Sequence, residues 1–169
     1  MEINQLEIFF NELADYYKQE KKIDIPPSYI EDALYIRLSD KYEFEWKGSL
    51  WDTRISKEEA LLALSDFDFL SLNTKIETDF NVLPSTLLLE YKVKVKSNGL
   101  IWTIHRYDKD PFPSNPHAHQ LENNIKLDLS TGKCFKHRKE IYTIGKKDLL
   151  NIRNKAKKVF KGNLPELLV

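Results

Sequence analysis

Apolar and polar residues alternate with the period of an α-helix at the start of the chain. The apolar positions recur at three- and four-residue steps: Ile3, Leu6, Phe9, Phe10, Leu13, Tyr16 and Tyr17. This spacing places them on one face and predicts an amphipathic helix over residues 3–20. Pro26-Pro27 interrupts the pattern, and Pro27 suits the first turn of a second helix that we expect to run to Leu38.

Two further elements are predicted in the same half of the chain. Residues 42–47 alternate aromatic and charged side chains, a pattern typical of a half-buried strand. Ser56 and Glu59 have the Ser-x-x-Glu spacing of a helix capping box and precede an apolar run, which predicts a short helix over residues 57–65. We therefore expect the first half to be mainly helical.

The second half changes to the two-residue period of β-strands. Four segments are predicted as strands: 87–96, 100–107, 125–129 and 134–142. Asn98-Gly99 predicts a tight hairpin between the first two, because both residues tolerate positive φ. Residues 146–160 return to a helical period with basic residues on the polar face. This order predicts an α+β fold, in which N-terminal helices precede a small antiparallel β-meander closed by a C-terminal basic helix.

Composition and charge sharpen this picture. The 169 residues suit one compact unit, and three Trp, eight Tyr and nine Phe exclude a disordered chain. The formal net charge of zero conceals an asymmetry between the two halves. Residues 1–80 contain nine basic and eighteen acidic residues, whereas residues 81–169 contain seventeen basic and eight acidic residues. We therefore expect an acidic, mainly helical segment at 1–84 and a basic segment of sheet and helix at 85–169.

The two halves carry net charges of −9 and +9, and all four histidines lie in the basic half. A difference of this size indicates nucleic acid or an acidic partner for the second half. The alternative is that the two halves pack with complementary surfaces and that their charges are simply solvated.

The sequence also bears on the compartment of the protein. No apolar run approaches the roughly 18 residues that span a bilayer, and the N-terminus lacks the basic and apolar regions of a secretory signal. Cys134 is the only cysteine, so no internal disulfide can form. These features predict a cytoplasmic protein without a membrane partner.

The segment from His105 to Gln120 combines ionisable side chains with a restricted backbone. Three prolines lie within six residues: Pro111, Pro113 and Pro116. His117 and His119 are two residues apart, so they point to the same face of an extended segment. A histidine pair can remove a proton from an RNA 2′-hydroxyl and protonate the leaving oxygen, because the unperturbed pKa of imidazole lies near neutrality. Arg106 can stabilise the charge that develops on phosphorus.

The predicted catalytic residues are His105, Arg106, His117 and His119. Residues assigned to nucleic-acid binding are Lys92, Lys94, Lys96, Tyr107, Lys109, Lys146, Lys147 and Arg153, and the final helix adds Lys155, Lys157 and Lys158. Lysine and arginine neutralise backbone phosphates without reading sequence, and Tyr107 or Phe112 can stack on an unpaired base. Metal-independent cleavage further requires that the imidazoles and the cationic surfaces share one pocket open to solvent.

Two other interpretations of the histidine segment remain open. In the first, it is a rigid structural loop whose imidazoles form hydrogen bonds with backbone carbonyls. In the second, His117 and His119 bind a metal together with His105, Asp108 or Asp110. No Cys-x-x-Cys or His-Glu-x-x-His motif and no phosphate-binding glycine-rich loop accompany the segment, so His-x-His alone supports the metal interpretation, and the predicted site includes neither a metal nor a cofactor.

Residues 91–119 resemble the core of TumE-type toxins of bacterial toxin–antitoxin operons. In that family a strand hairpin leads into an Arg-Tyr-Asp segment, which is followed by a short loop and closely spaced histidines. The matching residues here are Arg106-Tyr107-Asp108 and His117-Ala118-His119. The resemblance implies a small cytoplasmic protein that is paired with a cognate antitoxin and acts on RNA or translation.

The leading hypothesis is a toxin-like or defence-associated protein that acts on RNA through its second half, by acid–base cleavage as a metal-independent ribonuclease or by phosphate binding. The rival hypothesis is a non-enzymatic protein-binding adaptor with a structural histidine-rich loop, in which the charge asymmetry orients a protein partner. Salt dependence separates the two, because phosphate contacts weaken steeply as salt rises.

Overall fold

A computed structural model describes residues 3–69, 72, 75–78, 82–84, 99–104, 110–120 and 122–169. The chain divides into two units, Met1–Phe69 and Leu70–Val169. The first unit holds eight basic and sixteen acidic residues and the second holds eighteen and ten, so the charge asymmetry follows this division. The compositional boundary that the sequence places at 84/85 lies within the second unit.

Four helical segments make up the described part of the first unit. They are α1 at Ile3–Glu20, α2 at Pro27–Leu38, a 3₁₀-helix at Lys47–Asp52 and α3 at Lys57–Leu64. The three predicted α-helices are therefore confirmed. Helix α2 packs against both α1 and α3, and its buried face includes Ile30, Ala33 and Leu34.

Only one of the two hydrogen bonds of the predicted capping box forms at the start of α3. Ser56 Oγ accepts a hydrogen bond from the backbone N–H of Glu59 at 3.1 Å, as an N-cap does. The Glu59 carboxylate accepts instead from Tyr42 Oη at 2.8 Å and from the Lys41 ammonium. This tertiary contact fixes the preceding turn against α3.

The strand predicted over residues 42–47 is wrong. Residues 40–43 form a turn in which Glu43 has a φ of 51°, and the 3₁₀-helix begins at Lys47. Phe44 is buried, and its ring stacks on Tyr35 and Tyr42 with centroid distances of 5.9 and 5.6 Å. Phe44 is therefore buried by ring stacking on Tyr35 of α2 rather than by a pleated backbone, and Trp46 stays exposed.

The described residues of the second unit form a six-stranded antiparallel sheet followed by a helix. The strands are β1 at Lys75–Glu77, β2 at Ile101–Ile104, β3 at Ala118–Gln120, β4 at Ile125–Leu127, β5 at Lys133–Lys136 and β6 at Lys139–Thr143. They pair in sequence order, as a meander does, and α4 follows at Lys146–Val159. The predicted α+β class, with an antiparallel sheet and a C-terminal basic helix, is confirmed.

Two details of the predicted strands differ from the structure. Residues 134–142 form two strands rather than one, because Lys136 pairs with Lys139 across a two-residue turn of His137 and Arg138. The predicted loop ends earlier than residue 120, since Ala118–Gln120 forms β3 and hydrogen-bonds to both β2 and β4. The predicted strand at 87–96 and the Asn98 half of the predicted hairpin lie outside the described residues.

The two faces of the sheet differ in what they contact. Ile125, Leu127 and Cys134 belong to an apolar core that also contains Leu149 and Ile152 of α4. Successive side chains of a strand point to opposite faces, so the residues between these core positions lie on the second face. There His119, Lys126 and Phe135 stand opposite one another on neighbouring strands: His119 pairs with Lys126, and Lys126 pairs with Phe135.

None of the helices in the described part of the chain is long and apolar enough to cross a membrane.

Candidate nucleic-acid interface and the histidine loop

Five of the twelve predicted site residues are described by the structure. They are His117, His119, Lys146, Lys147 and Arg153. The other seven lie outside the described residues: Lys92, Lys94, Lys96, His105, Arg106, Tyr107 and Lys109. The predicted convergence of His105 and Arg106 with the histidine pair therefore stays a prediction.

The structure brings His117 and His119 together and buries them. Their ring centroids are 4.3 Å apart, and the residues are 1% and 5% exposed. His117 Nδ1 lies 2.9 Å from the carbonyl oxygen of Ser114, and a carbonyl only accepts, so this geometry places the proton on Nδ1. A histidine bonded to its own loop backbone is the arrangement expected of a structural loop.

Residues 110–117, the histidine loop, cross the second face of the sheet and are held there by charge pairs. The Asp110 carboxylate accepts from Lys126 Nζ at 3.0 Å and from the Arg138 guanidinium at 2.9 Å. Lys126 is buried, and pairing with Asp110 offsets the cost of removing its charge from water. The start of the loop is thereby fixed to both β4 and the β5–β6 turn.

Aromatic packing adds to these charge pairs. The Phe112 ring meets the Phe135 ring of β5 edge to face, with centroids 4.8 Å apart. The Arg138 guanidinium lies over the same Phe112 ring, 4.9 Å from its centroid. Phe112 thus joins the loop to β5 and to the β5–β6 turn.

The end of the loop is fixed by a serine. Ser114 Oγ accepts from the backbone N–H of Leu129 at 3.1 Å and donates to the carbonyl of Pro116 at 2.9 Å. Next to Leu129, Asp128 accepts hydrogen bonds from Ser130 and Thr131 in the turn that follows β4. Burial acts to raise the pKa of Asp128, but these hydrogen bonds outweigh it and hold the pKa below its ordinary value.

This arrangement limits the chemistry of the two histidines. A general base must reach the proton that it removes within hydrogen-bond distance, directly or through one water. Both rings are covered, because His117 ends a loop that is packed on the sheet and His119 lies in β3 between two neighbouring strands. Among the described residues, no group of three or more His, Cys, Asp or Glu side chains is arranged to hold a metal ion. The metal alternative with His105 or Asp108 involves residues outside that part of the chain.

Arg153, predicted as a phosphate contact, is directed to the interior. It is 9% exposed, and its guanidinium donates to the carbonyl of Leu129 and, at 2.9 Å, to the carbonyl of Pro165. Burial lowers the pKa of this guanidinium. The side chain thus connects α4 to the turn after β4 and to the C-terminal segment.

Four of the five lysines of α4 are exposed, and the fifth, Lys155, is half-buried and donates from Nζ to the carbonyl of Glu77 at 2.9 Å. Those exposed are Lys146, Lys147, Lys157 and Lys158. Lys147 and Lys158 are eleven residues apart, which is three helical turns, so they share a face and are separated by about 16 Å along the axis. Asp148 is the only acidic residue of the helix. Lys146 Nζ also donates to the carbonyl of Val169 at 2.8 Å.

A second exposed cationic group lies outside the set of predicted site residues. His137, Arg138 and Lys139 are exposed at the β5–β6 turn. The run of four basic residues from Lys136 to Lys139 is visible in the sequence. The predicted continuous strand at 134–142 does not contain the turn that exposes this run, so the run was not predicted as a surface group.

Comparison with protein-family models, with curated protein sequences and with solved structures gives no match for this chain. Its function is therefore inferred from the chemistry of the described residues.

Proposed function

We propose that the second unit binds RNA and that the exposed lysines of α4 hold its phosphate backbone. The observation that carries this proposal is the pair of lysine clusters, Lys146-Lys147 and Lys157-Lys158, at the two ends of one helix face. The opposite side of α4 is packed on the sheet, so the clusters stand on a rigid element. A rigid backbone reduces the conformational freedom that is lost when these lysines bind a phosphate chain.

Burial of His117 and His119 favours phosphate binding over acid–base cleavage. In this conformation neither ring offers a nitrogen at a solvent-open surface, whereas the lysines of α4 extend into solvent. Phosphate binding needs only exposed positive charge and does not require the histidines to touch the strand. The histidine loop then supports the sheet, while α4 contacts RNA.

We propose that this RNA-binding protein is a toxin of the TumE type, which is paired with a cognate antitoxin in the cytoplasm. The support is the sequence resemblance over residues 91–119 together with an exposed cationic helix in the same unit. An antitoxin with an acidic surface would compete with RNA for α4.

A protein-binding adaptor is the second candidate, and the packing of the histidine loop favours it. Asp110, Phe112 and Ser114 hold this loop on the sheet as a structural element. An adaptor of this kind does not bind nucleic acid at any salt concentration, so one titration distinguishes the two functions.

The test is the salt dependence of RNA binding. The four phosphate contacts of α4 contribute about −2.8 to the slope of log K against log salt for a single strand, which is a loss of about 50-fold between 50 and 200 mM salt. We would measure fluorescence anisotropy with a labelled 20-nucleotide single-stranded RNA and check the RNA afterwards for intact length. Replacing two of the lysines, with Lys147→Gln and Lys158→Gln together, should reduce the slope by about 1.4.

The matched control removes the same charge from the first unit. Lys21 and Lys57 are both exposed there, so Lys21→Gln with Lys57→Gln should leave the slope unchanged. Absence of RNA binding at 50 mM salt, or equal slopes for the α4 variant and the control, would refute the proposal. Loss of full-length RNA with the purified wild-type protein would restore the cleavage hypothesis.

A further inference from the structure

The β5–β6 turn is built from residues that are unusual for it. His137 and Arg138 have φ values of 47° and 62°, the left-handed region that two-residue hairpin turns require at both positions. Asn and Gly ordinarily occupy such turns because they adopt this region at low cost, and long side chains do not. A turn that keeps costly residues is a reason to look for a function of their side chains.

Arg138 is held in one orientation although it is largely in solvent. Its guanidinium lies over the Phe112 ring at 4.9 Å and donates to Asp110 Oδ1 at 2.9 Å, while 57% of the side chain stays exposed. Asp110 is itself fixed by Lys126, and Phe112 is fixed by Phe135. The planar group is therefore positioned before any ligand arrives, which lowers the entropy cost of stacking on it.

We infer that Arg138 is a stacking site for an unpaired base, so that the RNA bound by this unit is single-stranded. The inference rests on the proposed function. One edge of the guanidinium already donates to Asp110 and one face covers Phe112, and a base adds to such a pair by stacking on the guanidinium plane. The exposed Lys139 beside it is placed to contact a neighbouring phosphate.

The substitution that separates stacking from charge is Arg138→Lys. Lysine keeps the positive charge but lacks the planar group, and a base stacked on a protein side chain contributes about 1–3 kcal/mol, or about 5- to 150-fold in affinity. We expect binding of a 12-nucleotide single-stranded oligoadenylate RNA to weaken about 5- to 10-fold, at the lower end because the ammonium keeps its charge. Binding of a blunt 12-base-pair RNA duplex should not change, and neither should the salt slope for either RNA.

Lys139→Gln is the matched control, because it removes one charge at the next position. It should reduce the salt slope by about 0.7 for the single strand without a selective loss for unpaired RNA. A second variant, Phe112→Leu, removes the ring beneath Arg138 and should reproduce the selective loss. Thermal unfolding of each variant would establish that the hairpin is intact.

Each result has a distinct meaning. Equal affinity of Arg138→Lys and wild type for the single strand overturns the stacking site, while wild-type binding and its salt slope still support the proposed function. An equal loss on the duplex assigns Arg138 to phosphate contact and also overturns stacking. If wild type binds neither RNA, the proposed function fails and the stacking site fails with it.

Discussion

Arg153 has two possible roles, a phosphate contact or a structural anchor of α4. Its replacement by methionine distinguishes between them. The sequence predicts a phosphate contact, whereas in the structure the guanidinium donates to the carbonyls of Leu129 and Pro165. Methionine keeps much of the apolar stem and removes both donors. The α4 backbone should tolerate it, because methionine is a good helix former.

The magnitude follows from the two hydrogen bonds. A hydrogen bond from a charged donor contributes about 1.5–3 kcal/mol, so two contribute about 3–6 kcal/mol. Removing the buried charge also removes its desolvation cost, so the expected loss lies at the low end of this range. We therefore expect the free energy of unfolding to fall by about 3 kcal/mol, or a urea midpoint lower by about 1.5 M for an m value of about 2 kcal/mol/M.

Urea unfolding followed by circular dichroism measures this change, and RNA anisotropy measures the other role. Arg153→Lys is the control for charge, and it should lose about half as much stability because one ammonium replaces a fork of two donors. A midpoint within about 0.3 M of wild type would refute the anchoring role. A salt slope reduced by about 0.7 in folded Arg153→Met would restore the phosphate contact.

Two further predictions concern buried groups of the second unit. The lowered pKa of Asp128 contributes stability that is present above the unfolded pKa of about 3.9 and is lost as pH falls through the folded pKa. Asp128→Asn should therefore unfold at lower urea at pH 7 and lose less stability than wild type between pH 5 and pH 2; parallel curves would contradict this linkage. Burial raises the pKa of Cys134 to about 12, so iodoacetamide should label the thiol only in urea, and rapid labelling of the native protein would contradict the buried site.

Periodic segments were predictable where local pattern and tertiary packing agree. Helices α1, α2 and α4 have long apolar stripes or clear start signals, and their observed bounds match the predicted ones within a residue. The segment around Phe44 has the period of a strand but does not form one, because the Phe44 ring stacks on Tyr35 of α2 and the backbone does not pair with a neighbouring strand. The periodicity of apolar residues shows which side chains lie on the same face of a segment. It does not show which other part of the protein buries that face.

The sequence predicts which types of residue the candidate site contains, but it does not predict how their side chains are arranged in space. The pairing of Lys136 with Lys139 turns a predicted single strand into a hairpin and brings Arg138 to an exposed tip over Phe112. These two side chains are separated by 26 positions in the sequence, and only strand register brings them together. The same register sets Lys126 opposite His119 beneath the histidine loop.

The positions of the four α-helices, the α+β class and the opposite charges of the two units follow from the amino-acid sequence alone, because periodicity and composition are local properties. Whether a polar side chain faces solvent or the interior depends on contacts between distant segments. His117 and Arg153 carry the groups expected of an RNA site, yet their donors are directed to backbone carbonyls. The exposed lysines of α4 and the Arg138 turn are cationic surfaces that only the tertiary structure distinguishes from these buried groups, because burial and strand register are set by the whole chain.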